Sequence, residues 1–388
     1  MHDTTGPALV LVGGGLQNAL IALATLAARP HAQVTVLERD PRPCGNHTWS
    51  FHATDVPDAL RPVIERVAEH TWPDYDVQFP DGPRRVELGY ASVSSEHLAD
   101  LLTRTLADAP HGALRTDTEV VALDAGGVTL AGGERLPADL VVDARGPGHA
   151  PQAACGYQKF YGLELALDAP HGLERPLLMD ATIEQVDGFR FIYALPFGPQ
   201  RLLIEDTVFS TSAELDAGPW RTRVLAEAEA RGWSPAQVLR EEQGVLPMPW
   251  SGPGPAIQTE GPLRGGYHGG WFHPATGYSM PHAMRLATIV ARHAEDPGAL
   301  LGTDDYLRLV RRERKQARFA RFLNRLLFTG VAADTRWTVF QRFYRQPESL
   351  IARFYACTLT PLDRARMLVG RPPRGFSLRS ALSGSAIQ

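Results

Sequence analysis

Four groups of residues in the 388-residue chain have the types and spacing to do chemistry. Glu205 and Asp206 are adjacent acids near the end of the apolar run from Arg201 to Thr207. On a strand, successive side chains point to opposite faces, so Leu203, Glu205 and Thr207 share one face and Leu202, Ile204 and Asp206 the other. The two acids therefore cannot share one proton, and at most one of them faces a given cavity. A carboxyl in an apolar cavity has its pKa raised, which suits a general acid near neutral pH. A strand end emerging into water is the plain alternative. Asp180 closes the apolar run Leu177, Leu178, Met179 and is a third candidate acid, or else a cap or turn residue.

The third group is Gly13, Gly14 and Gly15, followed by Leu16 and, further on, Glu38. Ala8 to Val12 reads as a buried parallel strand, Leu16 to Arg29 as a helix, and Gln33 to Leu37 as a second strand that ends at Glu38. Strand, glycines, helix, strand and acid together read as an adenine-dinucleotide site. The glycines let the backbone approach a pyrophosphate, the helix N-terminus supplies partial positive charge, and Glu38 accepts from ribose hydroxyls. Asn18 stands where a third Gly or Ala is usual, which predicts a wider gap between helix and strand.

An irregular segment, a helix from Ser94 to Leu106, the strand Thr118 to Leu123 and a Gly-rich hairpin lead to a late strand ending in Asp143. That layout is of two-domain FAD proteins, in which the chain leaves and re-enters the nucleotide domain, and a second fingerprint for NAD(P)H is absent. Val121 and Asp143 join Gly13, Gly14, Gly15, Leu16 and Glu38 as cofactor-binding candidates. The fourth group, Gly277, Tyr278 and Ser279 at a helix start, offers N–H groups to an anionic partner, here the flavin N1/C2 carbonyl side. His273 has no companion at ligand spacing, so no metal is expected.

The fold expected is α/β: a Rossmann-like FAD-binding domain (residues 1–55, 94–150 and 265–300), an antiparallel β-sheet substrate domain (56–93 and 151–264) and a helical, basic C-terminal part (301–388). An apolar fraction of 44% with 21% charged residues excludes a disordered chain. Three scattered cysteines exclude a disulfide framework and a cysteine zinc site. Met1 to Thr5 lacks the basic region of a signal peptide, and no run of 18 apolar residues exists to span a bilayer, so a cytoplasmic protein, soluble or attached peripherally, is expected. The net charge of −4 hides a division. Residues 306–379 carry 17 basic against 4 acidic residues, and the remainder carries 22 against 39. From Tyr306 to Phe328, Leu309, Phe319, Phe322, Leu323 and Leu326 lie among eight cations. Such a helix suits an anionic membrane surface or packs on its own protein; nucleic acid is not expected.

Longer stretches carry a resemblance: Gly13 to Asn18, Gly45 to His52, Tyr157 to Phe160, Pro170 to Leu173 with Leu178 to Asp180, Leu203 to Thr207, Gly244 to Met248, and Phe272 to Ser279. With Leu327, Phe328, Gln341 to Tyr344, Arg353 to Tyr355, Leu359 and Thr360, they resemble the bacterial lycopene β-cyclase family over about residues 8–375. The resemblance implies redox-neutral cyclisation of the ψ ends of lycopene and related acyclic carotenoids at a membrane surface. It further implies that reduced FAD is required, with NAD(P)H as reductant. A proton reaches C2, the C1 cation is attacked by the C5=C6 double bond, and loss of a C6 proton leaves a β-ionone ring. Glu205 matches the family's acid, with Asp206 and Asp180 as further catalytic candidates. A flavin-dependent oxidoreductase of the same fold (an isoprenoid reductase or hydroxylase) is the alternative, and a flavin-binding membrane adaptor without catalysis is another.

Overall fold

The structure, a computed structural model, describes residues 6–146, 154–252, 254–370, 372, 375–377, 379 and 380. The expected boundary at 150/151 and the segment Met1 to Thr5 lie outside the described residues.

Short aliphatic strands buried on both faces make a five-stranded parallel sheet. Its order is β18 (Leu263–Arg264), β12 (Leu140–Asp143), β1 (Ala8–Val12), β2 (Gln33–Leu37) and β8 (Gly112–Arg115). Helix α1 (Leu16–Ala28), rich in Ala and Leu, is buried along most of its length between this sheet and α5 (Met280–Arg292). The Gln17 side-chain amide donates to the Ala283 carbonyl at 3.2 Å and ties these two helices together. Helix α2 (Arg61–Val67) and α3 (Ser95–Asp108) flank α1, and the Ser94 hydroxyl caps α3 by accepting from the His97 N–H. A three-stranded layer, β11 (Arg135–Pro137), β10 (Gly127–Leu130) and β9 (Val120–Asp124), lies beside β12.

The second large sheet has seven strands, ordered β17 (Pro235–Pro249), β13 (Cys155–Leu167), β16 (Arg201–Ser210), β15 (Phe189–Gly198), β14 (Leu177–Asp180), β5 (Tyr75–Phe79) and β6 (Gly82–Val86). All neighbours are antiparallel except β14 and β5. Helix α4 (Ala217–Ala230) covers one face, burying Trp220 and Val224 on Ile204 and Val208. The other face turns toward the parallel sheet. Between the two stands a small sheet of β3 (Thr48–His52), β7 (Tyr90–Ser94) and β4 (His70–Trp72).

The basic C-terminal part closes the remaining side with α6 (Asp304–Gly330), α7 (Trp337–Phe343), α8 (Glu348–Tyr355) and α9 (Pro361–Leu368). The apolar stripe of α6 turns inward. Tyr306, Leu309, Val310 and Phe328 are buried, Leu323 and Leu326 line an internal cavity, and only Phe322 of the expected stripe is well exposed. Among the described residues no helix is long and apolar enough to cross a membrane.

Candidate active site

A single cavity of about 1280 Å³ runs between the two large sheets. Ordinary ligand pockets measure roughly 300–1,000 Å³, so this one has room for more than one ligand. Its first end is built by the parallel sheet. Gly13 has φ +91°, and a β-carbon there would lie 3.1 Å from the Ala144 carbonyl, so the turn demands glycine. Gly15 begins α1 without any capping side chain, and the first turn holds no acid, which leaves the helix N–H groups open to the cavity. Glu38 is fixed by backbone donors: its two oxygens accept from the N–H groups of Gly14 at 2.7 Å and Asp40 at 3.0 Å.

Asn18 takes the third glycine's place in an unexpected way. It is fully buried, and its amide donates to the carbonyls of Val12 at 3.0 Å and Gly13 at 2.8 Å. Helix and strand are thus joined by hydrogen bonds rather than by close glycine packing. Asp143 lines the cavity and holds Arg145 through two contacts of 2.9 Å; burial works to raise its pKa, but the guanidinium outweighs it and holds the carboxyl low. Val121 does not take the expected place. It is 58% exposed, and its neighbour Val120 lines the cavity, because the strand's alternation turns every second residue outward.

Midway along, Gly277, Tyr278 and Ser279 line the wall at the start of α5. Gly277 has φ +67°, and a β-carbon there would lie 2.6 Å from Leu246 Cδ1. The Tyr278 hydroxyl donates to Asp55 at 2.9 Å. His52, also on the wall, has the rings of Tyr355, Tyr90, Tyr75 and Tyr278 around it at centroid distances of 4.9 to 6.3 Å. His273 is buried in a turn, its Nδ1 accepting from the Ala275 N–H, and burial lowers its pKa to about 3. His282, Glu313 and Cys357 bring potential ligand atoms within 4.8 Å of one another in the core. Arg285 and His282 already hold that carboxylate, at 2.8 and 2.9 Å.

Glu205 faces the cavity at this midpoint. Burial pushes its carboxyl well above the ordinary value of 4.5, and the neighbouring carboxylate of Glu242 adds to the shift. Across β15 it faces Tyr193, whose hydroxyl meets Ser50 Oγ at 2.9 Å and the Tyr90 hydroxyl at 3.2 Å. Beyond Glu205 the walls turn apolar and aromatic, with Phe191, Phe209, Leu327 and Phe340, and they reach Met367 and Leu368 at the end of α9 and Phe376 beyond it.

The other two acids lie outside the cavity, contrary to the catalytic role expected of them. Asp206 points to the α4 face, fully buried, and accepts from Arg190 Nε at 2.9 Å and from Arg223. Asp180 bonds the Thr182 hydroxyl at 2.6 Å and Arg231 at 2.7 Å. Both are tied into ion pairs that hold α4 and its C-terminal turn to the sheet. The pleat explains Asp206; for Asp180, Leu178 and Met179 of the same strand reach the cavity and the carboxylate does not. Glu242, absent from the expected site, is 3% exposed and bonds Arg240 Nη1 at 2.6 Å and the Thr48 hydroxyl at 3.0 Å.

Fold and cavity define a two-sheet flavoprotein-like architecture with a half-buried acid facing the cavity midway along it. The solved structure of pqsL, a probable FAD-dependent monooxygenase from Pseudomonas aeruginosa, shares that fold with a TM-score of 0.60 at 15% identity, covering 87% of this chain and 98% of that one. The family model described as lycopene cyclase protein matches residues 8–381. A lycopene beta-cyclase of Paracoccus sp. is 42% identical over 371 residues, and one of Pantoea ananas 42% over 367, each alignment covering 94% of both chains. The chain belongs to the lycopene cyclase family.

Proposed function

We propose that this protein cyclises the linear ψ ends of lycopene and related acyclic carotenoids to β-ionone rings, with Glu205 as the acid, bound FAD in its reduced form and NAD(P)H as the source of electrons for the flavin. The observation that carries this proposal is the position of Glu205, a carboxyl whose ionisation burial disfavours, where the glycine-turn end of the cavity meets its apolar end. The parallel-sheet part is the FAD-binding domain, the seven-stranded sheet the substrate domain, and the helices from α6 onward the part that closes over the substrate.

The residues suit the cofactor. Gly13 and Gly15 leave backbone and the uncapped start of α1 free for a pyrophosphate, Glu38 and Asp143 flank the nucleotide end, and Gly277 to Ser279 flank the flavin end. Reduced FAD, when bound, supplies negative charge beside a developing carbocation. Glu205 gives its proton to C2 of the ψ end, and the electrons of the C1=C2 bond form the new C–H bond. The resulting C1 cation is attacked by the C5=C6 double bond, and the C6 proton then leaves, so nothing is oxidised or reduced overall. Tyr90, Tyr193 and His52 exclude water from the site and surround it with ring faces that favour positive charge.

Substrate admission from the inner face of the cell membrane is supported by the apolar end of the cavity. On α6 and α9, which contribute to that end, Phe322, Leu362 and Leu368 are exposed, as is Val369 just after α9 (Leu362 78% and Val369 71%), and Lys315, Arg318 and Arg366 lie on the same helices. Apolar side chains among cations are the composition of a surface that sits in an anionic lipid interface.

Expression in a lycopene-accumulating bacterium, followed by pigment chromatography, tests the activity. Conversion to γ- or β-carotene is expected; unchanged lycopene overturns the proposal, and a reduced or hydroxylated product would point to an oxidoreductase.

A further inference from the structure

We propose that Glu242 is a positioning residue for the acid: Glu205 and Glu242 form a pair across Gly162 that shares a single proton, which Glu242, anchored in its ionised form, keeps on Glu205. This rests on Glu205 being the donor and assigns the group that maintains it as one.

The pair follows from strand register. Gly162 on β13 stands opposite Glu205 on β16 and opposite Glu242 on β17, so all three share one face of the sheet. The two acids are two strands apart, too far to meet over an ordinary residue. A β-carbon at Gly162 would lie 2.8 Å from Glu205 Cγ and 3.2 Å from Glu242 Cγ, so both side chains lean into the space that the glycine leaves. The Glu205 carboxyl itself comes within 3.3 Å of that same point, so the two acids crowd the space over a single glycine, an arrangement that favours one shared proton over two negative charges.

The surroundings decide which acid carries it. Glu242 accepts from Arg240 at 2.6 Å and from Thr48 at 3.0 Å, and it does not line the cavity. Arg240 also reaches Glu164 at 3.1 Å, Thr48 at 2.6 Å and Asn46 at 3.2 Å. These donors stabilise the Glu242 anion. Around the pair, β15 contributes Tyr193, β7 contributes Tyr90, the turn before β3 contributes His47, and β13 contributes Glu164, itself held by Arg201. Burial raises the pKa values of Tyr90 and Tyr193, and burial lowers that of His47 against the opposing pull of Glu242, with Arg240 adding to the fall. The proton resides on Glu205, facing the cavity.

Infrared titration of the purified protein, read at the carboxylic acid C=O stretch, tests this without any turnover. The wild type is expected to show a protonated-carboxyl band at pH 7 that is missing from Glu205→Gln. In Glu242→Gln the neighbouring charge is gone while Arg240 remains, so Glu205 should ionise at a pH lower by about one unit or more. The upper limb of the pH–activity profile should move with it while the acidic plateau stays. Gly162→Ala, which drives the carboxyls apart and alters neither, should shift the band the same way and serves if Glu242→Gln fails to fold. A band with an unmoved midpoint in both variants, or no such band in the wild type, overturns the pair. Failure to convert lycopene would instead overturn the activity and leave the titration to decide the pair.

Discussion

Glu205 and Asp206 are consecutive on β16, and the pleat of the strand sends their carboxyls to opposite faces of the seven-stranded sheet. Glu205 enters the cavity beside Glu242; Asp206 is locked beneath α4 by Arg190 and Arg223. One strand thus carries the proposed proton donor on one side and a structural ion pair on the other.

For Glu205 the expected outcome is loss of cyclisation with a gain in stability. Glu205→Gln should cut turnover at least ~100-fold, the lower range of general-acid contributions, while flavin binding is retained. In the folded protein Glu205 keeps its proton above the ordinary value of 4.5, so between that pH and its raised pKa the native state binds more protons than the unfolded one. Stability from this group is therefore full below 4.5 and falls as pH rises. The melting temperature of Glu205→Gln relative to wild type should increase from pH 4.5 toward pH 8, and a difference independent of pH would contradict the assignment.

Asp206→Asn should behave in the opposite manner. Removing one partner from a buried, multiply bonded ion pair costs about 3–5 kcal/mol, which denaturant titration will read directly. The activity of the fraction that remains folded should match wild type within a few-fold. A specific loss of turnover in fully folded protein would bring Asp206 back into the chemistry.

Asn18→Ala leaves the carbonyls of Val12 and Gly13 without their side-chain donor next to the glycine turn. The Val12 carbonyl keeps the Ala144 N–H at 2.9 Å, so the loss falls mainly on Gly13, and an unsatisfied buried acceptor costs about 1–3 kcal/mol. Lower thermal stability and weaker FAD retention on gel filtration are expected together. Unchanged values of both would show that the two hydrogen bonds do not hold the turn.

On α9 and just after it, the double variant Leu362→Ser, Val369→Ser removes two exposed apolar side chains without touching the core. Co-sedimentation with anionic liposomes should fall several-fold, and turnover of lycopene presented in vesicles should fall with it. Equal binding by the variant would move the membrane contact elsewhere. Deletion from residue 306 onward is a poor substitute, since Tyr306, Val310 and Phe328 of α6 are core residues.

How far these features were readable from the residues depended on the range of the interactions that make them. The unit β1, α1, β2 and Glu38 is local in sequence, and so is the opposition of residues 205 and 206, which needs only strand periodicity. Glu242 was not readable in that way. It follows Arg240 and Glu241 in what looks like a charged, solvated strand, and its importance comes from a register between β17, β13 and β16 that no local pattern encodes. Val120, not Val121, lines the cavity for a related reason: a strand's alternation gives two faces without saying which is inside. The stripe on α6 likewise indicated an apolar face but not that the cavity and core, rather than a lipid surface, would cover most of it.

Gly162 links the heritable fates of three positions. A mutation that puts any side chain there meets both glutamates at once, and shortening either glutamate to make room for it removes a carboxyl from the place where the other needs it. Single substitutions along that path pass through an impaired enzyme. Libraries intended to place a larger side chain at residue 162 must therefore randomise 162, 205 and 242 jointly.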